Sequence, residues 1–139
     1  MNKYKNLIKE LNLIPHPEGG HFAETYRDPK GLFSYIYYLL EKKEKSHWHK
    51  LTKNEILHFY DGDPLKILLS KDKINTSKIV LGKDLHNNHF YNFTVTAGTW
   101  FSMYTTGDWS LIGCIVAPAF NYEDFELAPK DWEPVNINI

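Results

Sequence analysis

Two histidines and a glutamate stand close together in the middle of the chain: His47-Trp48-His49, then Glu55, with Gly62 closing the segment. Imidazole and carboxylate side chains bind first-row metals and exchange protons near neutral pH. His47 and His49 are two positions apart, which puts them on one face of a regular strand. Leu51-Thr52-Lys53-Asn54 reads as a turn, and Glu55 to Tyr60 as the strand returning from it. A hairpin of that register brings Glu55 to the face of the two histidines. Three chemistries fit such a cluster. One is a metal centre held by His47, His49 and Glu55, with positions left open for water or substrate. Another is a metal-free acid/base pair in which His49 and Glu55 are the catalytic residues. The third is a set of satisfied polar groups with no activity. His58 alternates with Glu55 and faces away from all three.

The elements that must position these residues are mostly strands. Tyr4, Leu7, Ile8 and Leu11 form one helical stripe with lysines opposite, which predicts a short amphipathic helix at the N-terminus. Pro15 to Gly20 holds two prolines and two glycines and is irregular. Strands are predicted at 22–27, 33–40 (buried on both faces), 46–49, 55–60, 65–69, 78–81, 90–95, 99–104 and 110–117. Turns fall at Asp28 to Gly31, Asp61 to Pro64, Leu81 to Asp84 and Thr105 to Asp108. About ten short strands behind one helix imply an all-β barrel or sandwich. A small barrel of that kind is filled by side chains or holds one small ligand.

Composition bounds the function. The 139 residues are read as one domain, 1–139, long enough to bury a core, with 42% hydrophobic and 15% aromatic residues. A net charge of -1 with no basic block gives no support for nucleic-acid binding. No stretch approaches the roughly 20 apolar residues of a membrane span, so no membrane partner is expected. The single cysteine, Cys114, lies in an apolar run and reads as a buried core thiol in a reducing compartment. With no apolar signal segment at the N-terminus, the expected location is cytoplasmic.

The run His47-x-His49, Glu55, Gly62 resembles the first motif of the cupin superfamily, and Val95 to Phe101 lies where cupins carry their second. Further residues resemble one subfamily of small single-domain cupins. They are Pro15-His16-Pro17-Glu18-Gly19-Gly20, Glu24-Thr25-Tyr26-Arg27, Ser46 to His49, Glu55 to Leu65, Ala97-Gly98-Thr99-Trp100, Gly107 to Leu111, Val116-Ala117-Pro118 and Asp124-Phe125-Glu126-Leu127. The resemblance implies a cupin-type jelly-roll barrel (a double-stranded β-helix) with a short N-terminal helix, and a homodimer. Metal-binding cupins take a fourth ligand, a histidine, three positions after the glycine of the second motif. Phe101 stands there and has no lone pair to offer. A divalent metal is therefore optional, a metal-free pocket is preferred, and the cofactor is left unknown.

The remaining candidates would contact a small-molecule ligand. Glu18 places a carboxylate at the barrel mouth, or its glycines merely serve a turn that needs positive φ. Arg27 clamps a carboxylate or phosphate, or pairs with Glu24 or Asp28. Leu57 and Phe59 are core residues by type and lie beside Glu55. Trp100 and Phe101 would line the cavity of a cupin barrel and stack on a sugar or planar ligand. His16, His21, His86 and His89 show no useful spacing and are read as solvated. The activity implied is a sugar-type isomerase or epimerase. The alternatives are a noncatalytic metabolite-binding cupin and a metal-dependent cupin oxygenase.

Overall fold

A computed structural model describes residues 3–137 and places one α-helix and twelve strands among them. Helix α1 (Lys3–Glu10) lays Tyr4, Leu7 and Ile8, with Leu11 just beyond it, over Leu13, Leu39 and Leu111. The strands are β1 (Ile14–Pro15), β2 (His21–Arg27), β3 (Ser34–Glu41), β4 (Ser46–Leu51), β5 (Asn54–Gly62) and β6 (Leu65–Ser70). They continue as β7 (Ser77–Leu81), β8 (His89–Phe90), β9 (Asn92–Val95), β10 (Trp100–Thr105), β11 (Trp109–Ala117) and β12 (Phe125–Leu127). They form two six-stranded sheets, in the orders β1-β2-β3-β11-β5-β9 and β12-β4-β10-β6-β7-β8. Non-sequential neighbours in both sheets make this a jelly roll, the architecture expected.

Alternation along each strand builds the interior. Tyr38 and Leu40 from β3, Leu57 from β5, Ile67 and Leu69 from β6, Phe101 and Met103 from β10, and Ile112 and Cys114 from β11 meet between the sheets. The intervening residues face outward. Trp48, Leu68 and Trp100 pack there with Ala128 and Trp132, forming a second cluster on the outside of one sheet. Tyr35 is 40% exposed, so β3 is not buried on both faces as expected. The helix covers its outer side only at the Leu39 end.

Three further expectations change. The strand predicted over 90–95 is cut at Tyr91. His89–Phe90 joins β7 while Asn92–Val95 joins β5, so the chain crosses there from one sheet to the other. Pro15 belongs to a short strand, with Ile14 opposite Phe22 and Pro15 opposite His21. Leu51 is the last residue of β4 rather than the start of a turn, and β12, unforeseen, pairs with it through Phe125. Among the described residues no helix is long and apolar enough to cross a membrane.

The pairing of β4 with β10 decides the site. Phe101 lies opposite His49, but Met103 lies opposite Ser46, so β4 carries one residue more than its partner between the two pairs. This is a β-bulge, and it reverses the facing of the residues before it. Ser46 shares the inward face with His49, and His47 is turned out.

Candidate active site

The inward positions at one end of the barrel are polar and enclose a cavity of about 200 Å³. Four titratable side chains make its chemistry: His16 and Glu18 from the loop before β2, His49 from β4 and Glu55 from β5. The loop is shaped by its own backbone. The His16 N–H donates to the Gly20 carbonyl at 2.9 Å, and the Gly19 N–H to the His16 carbonyl at 3.0 Å. Gly19 and Gly20 sit at φ 112° and 77°, which glycine adopts without strain. A Cβ on Gly20 would lie 2.8 Å from both the Leu39 carbonyl oxygen and the Tyr38 hydroxyl. The turn drives Glu18 inward, where its carboxyl is 8% exposed and bridges two imidazoles. One oxygen is 3.4 Å from His16 Nδ1 and the other 3.4 Å from His49 Nε2. The Ser46 hydroxyl donates to the same carboxylate, and the Tyr38 hydroxyl donates to the Gly19 carbonyl.

Hydrogen bonds assign the tautomers. His49 Nδ1 lies 2.7 Å from the His47 carbonyl, which can only accept, so Nδ1 carries the proton and Nε2 presents a lone pair toward Glu18. His16 Nδ1 accepts the Glu18 backbone N–H at 3.1 Å, so its proton is on Nε2. Burial lowers the pKa of both histidines, which favours the neutral rings. The same burial raises Glu18 and pushes Glu55 up to about 7. Burial and the neighbouring Glu55 hold the Cys114 thiol well above its ordinary value, so it stays neutral beside that carboxyl. The cavity thus holds two carboxyls that retain protons unusually well and two imidazoles that give them up, a combination suited to proton transfer.

The mouth is covered by the segment after β11. Phe120 and Tyr122 pack ring to ring at 5.0 Å, and Phe125 touches both at 6.2 Å. The segment is pinned on one side by the Phe120 N–H donating to Ser34 Oγ at 2.9 Å. On the other, Lys53 pairs with Asp124 at 2.7 Å and donates to the Ala119 carbonyl at 2.8 Å. Arg27 lies at this mouth, its Nε and Nη2 each 2.9 Å from Glu24 and Nη2 2.7 Å from the Phe120 carbonyl.

Of the sequence candidates, His49, Glu55, Glu18 and Arg27 line this cavity. Glu18 is in its floor rather than at its mouth. His47 is not at the site: its Nε2 donates to the Pro129 carbonyl at 2.9 Å, on the outer side of the sheet. Trp100 is outside as well, packed on Trp132. Leu57 and Phe59 share the inward face with Glu55 but sit two and four residues deeper along β5, among the core side chains. Phe101 is a support rather than a wall, its ring 4.1 Å from that of His49. His16, read as solvated, is buried and lines the cavity, and the crowding of Pro and Gly around it was the signal for a built loop. His21 is half-buried beside Glu44 rather than solvated, with 3.7 Å between their polar atoms.

A divalent metal, the group that the fold family suggests, does not fit the residues as placed. His47 faces away, and Phe101 fills the fourth position. Among the described residues no group of three or more His, Cys, Asp or Glu has metal-holding geometry.

The family model described as "Cupin superfamily (DUF985)" matches residues 5–128. A structural-genomics protein from Shewanella oneidensis is 37% identical, with TM-score 0.86 over 92% of this chain and 85% of that one. A hypothetical protein from Leishmania major is 28% identical, with TM-score 0.84 over 94% and 90%. An oxalate decarboxylase from Bacillus subtilis matches at 9% identity and TM-score 0.65, over 81% of this chain and 29% of its own, a likeness of fold alone. No curated protein matches the sequence. With the family model covering most of its length, the chain belongs to the cupin superfamily, in the family DUF985.

Proposed function

We propose that this cupin binds a small hydroxycarbonyl compound and moves a proton beside its carbonyl, as an isomerase or epimerase of the sugar type does. The observation that carries the reading is the lone pair of a neutral His49 Nε2, held 3.4 Å from Glu18 at the buried end of the cavity. In the proposed step, His49 Nε2 takes the proton from the carbon next to the carbonyl. The electron pair of that C–H bond becomes the carbon–carbon double bond, and the carbonyl oxygen takes a proton from Glu55. In the collapse of the resulting enediol, the Glu55 carboxylate takes the proton of the other enediol hydroxyl, that oxygen becomes the new carbonyl, and His49 returns its proton to the carbon that was the carbonyl. Glu18 holds the imidazolium that forms, and Ser46 holds Glu18. Positioned acid/base groups of this kind supply roughly 10²–10⁴-fold each.

The test is proton NMR in deuterated water with a panel of small aldoses and ketoses. The expected outcome is deuterium at the carbon beside the carbonyl for at least one compound, suppressed about 100-fold or more in Glu18→Gln and His49→Ala. Compounds that bind saturably yet never exchange would point to the second reading, a noncatalytic metabolite-binding cupin. The apolar walls of Phe22, Ile36, Leu51 and Val116, and the Phe101 ring under His49, favour that reading. By likeness to other cupins the protein is proposed to act as a homodimer, which sedimentation equilibrium checks.

A further inference from the structure

The mouth of the cavity carries its one lining arginine, and that arginine is already neutralised. Arg27 presents its Nε–Nη2 edge to both oxygens of Glu24, the fork-to-fork geometry that a phosphate or carboxylate ligand would need for itself. The second Nη2 hydrogen is committed to the Phe120 carbonyl. Glu24 and Arg27 both line the cavity, and no lysine does. Lys53, in the turn between β4 and β5, is spent on Asp124 and the Ala119 carbonyl of the covering segment. Deeper in, the ionisable groups are two carboxyls, two imidazoles lowered by burial and the Cys114 thiol, none of which supplies a fixed positive charge. The uncharged polar groups at the entrance, Asn121 and Tyr122, suit hydroxyls. At about 200 Å³ the cavity also falls below the roughly 300–1,000 Å³ of sites for larger ligands.

We infer that Glu24 sets the charge selectivity of this site: by occupying the Arg27 fork, it makes the cavity accept small uncharged hydroxycarbonyl compounds and reject their phosphorylated counterparts. The inference rests on the reading of the cavity as a hydroxycarbonyl site, and it names Glu24 as a positioning residue that acts through Arg27.

Calorimetric titration of the full chain with dihydroxyacetone, dihydroxyacetone phosphate and inorganic phosphate tests it. For the wild type, the phosphorylated probe is expected to bind at least about tenfold more weakly than the uncharged one, and inorganic phosphate not to saturate. In Glu24→Gln the guanidinium keeps its charge and loses its counter-ion. Affinity for both phosphate-bearing probes then rises about tenfold, and the gain vanishes in the Glu24→Gln/Arg27→Gln double variant. Circular dichroism checks folding, and Glu24→Thr serves if the glutamine variant does not fold. A wild type that prefers the phosphorylated probe overturns the inference, as does a folded Glu24 variant whose phosphate affinity stays within about twofold. If dihydroxyacetone fails to bind while Glu24→Gln gains phosphate affinity, the masking of Arg27 stands and the hydroxycarbonyl reading falls.

Discussion

His49 owes its reactivity to an asymmetry between its two ring nitrogens: the His47 carbonyl takes the Nδ1 proton, and Nε2 is left as a base. The contribution of His47 is thus its backbone, and its imidazole is spent on Pro129. His47→Ala is therefore expected to keep deuterium exchange within about twofold of wild type. It should lose about 1 kcal/mol of stability by urea unfolding, the worth of one hydrogen bond. His49→Ala should instead suppress exchange about 100-fold or more, because it removes the base itself. The two histidines look alike in the sequence because H-x-H spacing assumes a regular strand. An added residue in β4 is a backbone event that residue types two apart do not report. Glu55 and His49 were legible because each also faces inward after the bulge is counted. Leu57 and Phe59 were misread for a different reason: period-two patterning gives the face of a strand and says nothing of depth along it.

Elements bring Glu18 to the cavity by a route that residue spacing reveals only in part. The Pro/Gly run marked a loop, while the direction in which the loop points depends on Lys45, Leu39 and Tyr38, residues that come later in the chain. Gly20→Ala tests this directly. With φ at 77° and a Cβ 2.8 Å from the Leu39 carbonyl oxygen, the variant should lose about 2 kcal/mol by thermal or urea unfolding. It should also weaken ligand binding, because Glu18 can no longer lie between the imidazoles. Where apolar and aromatic runs were long and bounded by turn residues, as in β6, β10 and β11, the strands stand where the sequence puts them. The cut at Tyr91 and strand β12 escaped because a two- or three-residue strand has too few alternations to be recognised.

For the molecule as a whole, a carboxyl buried for chemistry is a load on stability. Glu55 has an ordinary value of 4.5 and a folded value of about 7. The folded state therefore favours the protonated acid. The contribution of this group is fully favourable below pH 4.5 and is lost as pH rises through 7, by about 3 kcal/mol at most. His16 and His49, lowered by burial, act oppositely: their contribution is present above 6.5 and is lost as pH falls through their folded values. Stability should consequently peak at mildly acidic pH. Glu55→Gln should be more stable than wild type at pH 8.5 and indistinguishable from it near pH 4, as measured by urea unfolding at both.

The cavity draws on residues 16–27, 34–36, 49–55 and 114–125. A chain emerging during synthesis consequently has no site until Phe125 has been made, and a fragment that loses residues 16–27 or 114–125 cannot retain one. Ligand binding is therefore a report on completed molecules only. Any metabolite that occupies the cavity would act as a selective brake on unfolding, sparing finished copies from proteolysis in proportion to its own abundance.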